Sequence, residues 1–134
     1  MNALEPEFET EAERRKRSKK AYEAVVRCVD LNSGHKQPPL AKWPSVLGSL
    51  HGGGYGRYGL DELYRARNAA RANGDLFVAR DAAGDRRVGI DDEQRLLEKI
   101  ATHVSAVDEP RRREDVIGLA NERIQTLRER GRDE

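Results

Sequence analysis

Arginine, asparagine and alanine recur along the stretch LYRARNAARA, residues 63–72, at intervals that place several of them on one side of a helix. The outward positions of that helix are Arg65, Asn68, Ala69, Arg71 and Ala72. Arginine donates two hydrogen bonds to guanine, asparagine bonds two atoms of adenine, and alanine lets a backbone approach closely. These residue types therefore favour a surface that contacts the base edges of double-stranded DNA.

Side chains suited to catalysis or metal binding are few and poorly grouped. His35, His51 and His103 form no HxxxH or HExxH pattern. Cys28 is the only cysteine, so a cysteine-based zinc site or a disulfide within one chain is excluded. The serines form no GxSxG motif, and the glycine-rich segment GGGYG, residues 52–56, belongs to no P-loop pattern. The sequence predicts no enzyme, no metal site, no cofactor and no small-molecule substrate.

The predicted DNA-contacting residues need a helix over residues 60–73 to position them. The first turn carries Asp61 and Glu62, where the helix dipole favours negative charge. The pair Asn73 and Gly74 tolerates a positive φ, which ends the helix. The inward face is mostly apolar and comprises Leu60, Leu63, Ala66, Arg67 and Ala70.

A β-hairpin is predicted directly after this helix. Before the glycine-containing turn DAAGD, residues 81–85, Leu76, Val78 and Arg80 alternate with Phe77 and Ala79. After the turn, Val88 and Ile90 alternate with Arg87 and Gly89. The tip of this hairpin carries Arg80, Arg86 and Arg87.

The N-terminal part of the chain is predicted to form a loose acidic tail over residues 1–9 and then a helix to about residue 29. Thr10 and Glu13 have the spacing of a capping box at the start of that helix. The helix either touches DNA phosphates or faces solvent, and its sequence leaves both interpretations open. Its first half carries the densest cluster of positive charge in the protein, comprising Arg14, Arg15, Lys16, Arg17, Lys19 and Lys20.

Two further segments precede the helix over 60–73. Residues 30–39 form a predicted loop, and residues 40–50 form a short helix with Pro44 near its first turn and Trp43 as a core residue. The segment HGGGYGRYG, residues 51–59, is predicted to form an extended turn that places Arg57 and Tyr58 beside the next helix. These two side chains could hold a phosphate, or the tyrosine could pack the turn onto the core.

The C-terminal part is predicted to form two helices. Apolar residues recur at spacings of three and four over 91–107 and 110–127, and Pro110 starts the second helix. Two such stripes favour an antiparallel helical hairpin or a face that pairs with a second chain. Residues 131–134 are expected to fray. The candidate dimerisation residues are Leu97, Ile100, Val104, Ile117, Ile124 and Leu127.

The composition agrees with one domain of ordinary size. The chain has 134 residues, of which 37% are hydrophobic and 37% are charged, and its net charge is +1. A net charge this small decides nothing about nucleic acid until the distribution of charge is known. No apolar run approaches the roughly 20 residues that span a bilayer, and the first residues lack the apolar segment of an export signal, so a cytoplasmic protein is expected.

Residues 40–90 resemble the winged helix-turn-helix domain of small archaeal and phage transcription regulators, most clearly in LDELYRARNAARANGDLFVARDAAGDRRVGI, residues 60–90. The resemblance implies a mainly α fold with a small β-hairpin, a winged helix-turn-helix domain over 10–90 and a C-terminal helical extension over 91–130. It also implies a dimeric, sequence-specific regulator that binds double-stranded DNA, with helix 60–73 in the major groove and hairpin 76–90 as the wing. By position, the helix would read bases through Arg65, Asn68, Ala69 and Ala72, and the wing would bind through Arg80, Arg86 and Arg87.

Two features depart from that family pattern. The turn before helix 60–73 is longer and richer in glycine than usual, and Asp61 and Glu62 would repel phosphates at the start of the helix. The alternative is a winged domain that binds a protein instead of DNA and uses its C-terminal helices as the partner surface. The position of the acidic side chains relative to helix 60–73 distinguishes the two functions.

Overall fold

The computed structural model describes residues 9–52, 58–108 and 114–133. Within these ranges the chain is mainly helical and has one three-stranded antiparallel sheet, with strand order β1-β3-β2. No helix in the described ranges is both long enough and apolar enough to cross a membrane. The elements are α1 (Glu11–Leu31), β1 (Ala41–Lys42), α2 (Trp43–His51), α3 (Leu60–Ala72), β2 (Leu76–Arg80), β3 (Arg86–Ile90), α4 (Glu93–Ala106) and α5 (Glu114–Asp133).

Helix α1 begins where the predicted cap places it. The hydroxyl of Thr10 accepts a hydrogen bond from the backbone N–H of Glu13 at 3.1 Å, which satisfies one of the free donors of the first turn. The helix continues to Leu31, two residues beyond the predicted end at residue 29, and the backbone N–H of Asn32 closes it by donating to the carbonyl of Cys28. The predicted acidic tail lies outside the described residues except for Glu9.

The short strand β1 was not predicted from the sequence. Ala41 pairs with Val88 and Lys42 pairs with Arg87, so these residues extend the hairpin into a three-stranded sheet. Helix α2 therefore begins at Trp43, whereas the sequence placed its start at residue 40. A strand of two residues is too short to show alternation, and for this reason the pattern of the sequence did not reveal it.

The sheet is covered on both faces. Leu76 and Val88 on one face are buried against helices α1, α2 and α3, in a core that includes Val25, Val29 and Leu63. The other face belongs to a second core, formed by Leu40, Phe77, Leu96, Val116, Ala120 and Ile124. The C-terminal helices therefore share a core with the hairpin.

Helices α4 and α5 are antiparallel, and ion pairs join them to each other and to the end of β3. Arg123 donates two hydrogen bonds to Asp91, each of 2.7 Å, and Arg128 donates to Glu93 at 2.5 Å. The α5 helix runs to Asp133, so residues 131–133, which the sequence predicts to fray, are helical. The start predicted at residue 110 lies outside the described residues.

Packing of these helices onto the sheet changes the predicted dimerisation residues. Ile124 is buried in the second core, Ile100 and Leu127 pack against the same core, and Ile117 is half-buried. Burial of Ile124 within its own chain makes it unavailable to a second chain, so its assignment to a dimer interface is withdrawn. Leu97 and Val104 are 40% and 50% exposed, respectively, and are the two predicted positions that remain open to solvent.

Candidate nucleic-acid interface

Helix α3 presents to solvent all five residues that the sequence places on its outward side. Leu63, Ala66 and Ala70 anchor the opposite side in the first core. The exposed residues are Arg65, Asn68, Ala69, Arg71 and Ala72, and we call this set the α3 face. Its arginine and asparagine side chains supply hydrogen-bond donors, and its alanines leave room for close approach.

Carboxylates lie at the two ends of the α3 face and are absent from residues 63–74 between them. Glu62 is turned toward α1, where it accepts from Arg17 at 2.8 Å and from the backbone N–H of Gly59 at 3.2 Å. At the other end, Asp75 accepts a hydrogen bond from the hydroxyl of Tyr22. Asp61 is exposed at the start of the helix. The middle of the face therefore carries positive charge with no carboxylate of its own.

The basic part of α1 lies beside this face. A groove of about 670 Å³ between α1 and α3 is lined by Arg14 and Lys19 from the first helix and by Arg65, Ala69 and the acidic Glu62 from the third. Arg15, the third α1 residue predicted to bind DNA, does not line this groove and instead pairs with Glu11 at 2.8 Å. The structure thus brings Arg14 and Lys19, but not Arg15, to the α3 face.

Two arginines of the hairpin oppose each other across the sheet. Arg80 pairs with Arg86 in the register of β2 and β3, which directs both side chains to the same side of the sheet. Like charges in directly opposed positions are unfavourable unless an anion lies between or beside them. Arg80 donates a long hydrogen bond of 3.4 Å to the carbonyl of Gly84, which leaves most of its donors free for another acceptor.

Arg87, which the sequence predicts as a wing contact, is buried within the protein. It is 8% exposed, and its guanidinium donates to Asp81 at 2.9 Å and to the carbonyl of Leu40 at 3.2 Å. Side chains alternate along a strand, so Arg87 points to the face opposite Arg86, which the second core covers. It therefore stabilises the hairpin and has no donor directed to a ligand at the α3 face.

The sequence left open whether Arg57 and Tyr58, before α3, hold a phosphate or pack against the core. Arg57 lies outside the described residues. Tyr58 is half-buried against the first core, and its carbonyl accepts from Nδ1 of His51 at 2.8 Å. It also lines a cavity with Lys20 and Leu50, between α1 and α2.

Arg67 is a polar residue of this region that the sequence placed on the inward face and assigned no function. Its guanidinium carbon lies 4.8 Å from the ring centroid of Trp43 and 5.0 Å from that of Tyr64. Burial lowers the pKa of Arg67, and the charge of Arg86 acts in the same direction. In the sequence, the only signal of this site was a charged residue at an inward position of a helix. The contacts with two aromatic rings became visible in the fold.

Comparison with family models, with curated proteins and with solved structures finds no match to this chain. Among the described residues, no three histidine, cysteine, aspartate or glutamate side chains are grouped as a metal site requires.

Proposed function

We propose that this protein is a winged helix-turn-helix protein that binds double-stranded DNA, with the α3 face in the major groove. The observation that carries the proposal is the placement of positive side chains from three elements around one exposed helix. Arg14 and Lys19 line a groove with Arg65 and Ala69 of the face, and the charge of Arg86 acts on Arg67 of the same helix. Anionic phosphates on both sides of a groove would compensate these charges.

The proposed binding mode assigns different tasks to the side chains. Arg65 and Asn68 project from the middle of α3 and bond base edges, which supplies sequence specificity. Arg14 and Lys19 bind phosphates along one strand, and Arg80 and Arg86 bind phosphates as the wing. The order α2, turn, α3, hairpin supports this arrangement because it lets the third helix and the hairpin approach one duplex together.

We further propose that the protein is a homodimeric transcription regulator. Two copies related by a twofold axis would read half-sites separated by about 34 to 36 Å, one turn of the duplex. Leu97 and Val104 of α4 are apolar, exposed and one heptad apart, so they are the residues that we assign to contact between two copies.

Duplex DNA selected from a random pool, at stated ionic strength, tests the proposal through a mobility-shift assay. Replacing Arg65 and Asn68 together with alanine is expected to weaken binding to the selected duplex by about thirty-fold or more, since each contact contributes about 1 to 3 kcal/mol of discrimination. The matched control replaces Arg130 and Gln125 with alanine, because these exposed residues of α5 have the same side-chain chemistry away from α3. Equal affinity of both variants would remove α3 from the interface.

The alternative is a winged module that binds a protein. The exposed Asp61 and the exposed apolar pair Leu97 and Val104 favour it. Failure of the wild-type protein to select any duplex, even at low ionic strength, would reject DNA binding and leave the protein-binding module as the better proposal.

A further inference from the structure

Arg67 is a buried charge for which the protein supplies no counter-ion among the described residues. The residue is 9% exposed, and the charges of Arg86 and Arg71 repel its guanidinium. A buried cation without a carboxylate is costly to the fold, even when aromatic rings lie on it. Its retention next to an exposed helix face calls for a functional explanation.

One edge of this guanidinium is occupied by a weak, single acceptor. Nε and Nη2 of Arg67 both donate to the same amide oxygen of Asn68, at 3.3 and 3.1 Å. This edge has the fork geometry that binds two oxygens of a phosphate or carboxylate. Asn68 itself is exposed, so its amide can turn away and open the edge to a ligand.

Two more hydrogen-bond donors of Arg67 and Trp43 have no acceptor. Nη1 of Arg67 and Nε1 of Trp43 are buried without a hydrogen-bond acceptor. A buried donor without an acceptor is unfavourable to the fold. The cluster of Trp43, Arg67 and Tyr64 thus contains a positive charge and more buried hydrogen-bond donors than acceptors. This composition is typical of a site that binds an anion.

We propose that the Nε and Nη2 edge of Arg67 binds a phosphate of the DNA backbone and that this phosphate displaces the amide oxygen of Asn68. The inference rests on the proposed function, because the phosphate is assigned to a DNA strand. A phosphate provides two oxygens and a negative charge, whereas a base edge provides neutral acceptors and would leave the charge of Arg67 uncompensated. Displacement frees the amide of Asn68 to bond a base, so phosphate binding and base reading are coupled.

Trp43 reports directly on this site because it is the only tryptophan of the chain and lies against the guanidinium. The wild-type protein is titrated with a selected duplex and, separately, with inorganic phosphate at matched ionic strength. We expect the duplex to change tryptophan emission over the same concentration range as the mobility shift, and inorganic phosphate to act only at much higher concentration. Saturation by inorganic phosphate below the concentration of DNA required would assign the site to a free phosphate and overturn the inference.

The variant Arg67→Met separates binding from folding. Methionine can pack against the same two rings and removes the uncompensated charge, so the melting temperature should stay the same or rise. Affinity for DNA should fall, and the dependence of affinity on salt should decrease by about one counterion. Arg67→Lys keeps the charge but loses the fork, so it should weaken binding by about ten-fold with an unchanged salt dependence.

The variant Asn68→Asp places a carboxylate where the phosphate is expected. The new carboxylate should pair with Arg67 and raise the melting temperature. Without DNA, it should also change tryptophan emission in the same direction as DNA binding changes the emission of the wild type. The matched control Ala72→Asp adds the same charge to the α3 face, one helical turn further from the start of the helix. Both variants should lose DNA binding, but only Asn68→Asp should alter melting and emission in this way.

Failure of this inference is distinguishable from failure of the proposed function. If the wild type binds a selected duplex while Arg67→Met retains its affinity and salt dependence, the phosphate site is rejected and DNA binding stands. If no duplex binds, the proposed function is rejected, and the DNA phosphate assigned to Arg67 is rejected with it.

Discussion

Asp81 organises the turn of the hairpin through both of its carboxylate oxygens. Oδ1 accepts from the backbone N–H groups of Ala83 and Asp85 at 3.0 and 2.9 Å, and Oδ2 accepts from Arg87 at 2.9 Å. Burial by itself would raise the pKa of Asp81, but the bonds from Arg87 and from the backbone outweigh it and lower the pKa below 3.8. The turn that carries Arg80 and Arg86 is therefore held by one ionised side chain.

This arrangement predicts how stability depends on pH. A carboxylate whose pKa is lower in the folded state contributes stability above its unfolded pKa of 3.8, and the contribution is lost as the pH falls through the folded value. Asp81→Asn leaves Arg87 buried without its partner, so it should lower the free energy of unfolding by roughly 3 kcal/mol at neutral pH. Denaturant unfolding of both proteins, at neutral pH and in steps below pH 3.8, measures this difference.

The matched control for Asp81 is Asp85→Asn in the same turn. The carboxylate of Asp85 is about half exposed, and its nearest cation is Lys42 at 3.9 Å, so its removal should change stability by less than about 1 kcal/mol. A difference between wild type and Asp81→Asn that stays constant through the acid range would show that the ionised carboxylate does not hold the turn.

At the scale of elements, the hairpin requires a residue without a side chain where β3 faces the second core. A Cβ atom at Gly89 would lie 2.5 Å from Cδ2 of Leu40 and 2.6 Å from Cε1 of Phe77. Gly89→Ala should therefore destabilise the protein by about 1 to 3 kcal/mol through overpacking. Thermal unfolding at neutral pH provides the measurement.

Gly118 in α5 offers the opposite case and serves as the control. A Cβ there meets no atom within 4 Å, and the residue lies inside a helix. Gly118→Ala should stabilise the protein by about 0.5 to 1 kcal/mol, because alanine loses less backbone entropy than glycine in a helix. Equal effects at the two positions would contradict the close packing of β3 between Leu40 and Phe77.

The elements differ in how far the sequence could reveal them. Helical spacing, a cap at Thr10 and the pair Asn73 and Gly74 predicted α1, α3 and the hairpin, since each signal is local. The sequence placed Arg86 and Arg87 together at the hairpin tip, because alternation along a strand does not show whether one or both faces of the sheet are covered. The stripes of α4 and α5 were equally ambiguous, because an apolar stripe has the same spacing whether it packs on its own sheet or on a second chain.

Within the predicted interface, too, the sequence revealed exposed positions but not contacts between distant residues. The exposed positions of α3 follow from helical spacing, and all five are exposed in the structure. The environment of Arg67 depends on Trp43, which is distant in sequence and reaches it only through the packing of α2 on α3. Contacts between distant residues arise from tertiary packing, which spacing within one helix does not encode.

At the scale of the whole molecule, the near-zero net charge conceals a separation of charge. Several carboxylates are used to join elements: Asp30 binds Arg95 and Lys99 of α4, Asp91 binds Arg123 of α5, and Asp81 binds Arg87. Basic residues near α3 such as Arg14, Lys19 and Arg86 have no such partner among the described residues. The protein can therefore carry a net charge of +1 and still offer a positive surface to an anionic partner.

Association of two copies would use the apolar surface that the fold leaves exposed. Leu97 and Val104 stay exposed on α4 after α5 and the sheet have covered their neighbours. Replacing both with aspartate should convert a dimer into a monomer in light scattering, since four carboxylates would then face one another across a twofold axis. Binding to a duplex with two half-sites should weaken more than binding to a single half-site, because only the former uses both copies.

Leu31 supplies the control for assembly, since it is 64% exposed at the end of α1 and is the most exposed of the large apolar residues in the described ranges. Leu31→Asp should leave the mass in solution unchanged if α4 forms the contact. A wild-type protein that is monomeric at all concentrations tested would reject the dimer, and DNA binding would then depend on one α3 face with its flanking arginines. A dimer that survives both sets of substitutions would place the contact on a surface other than α4 and the end of α1.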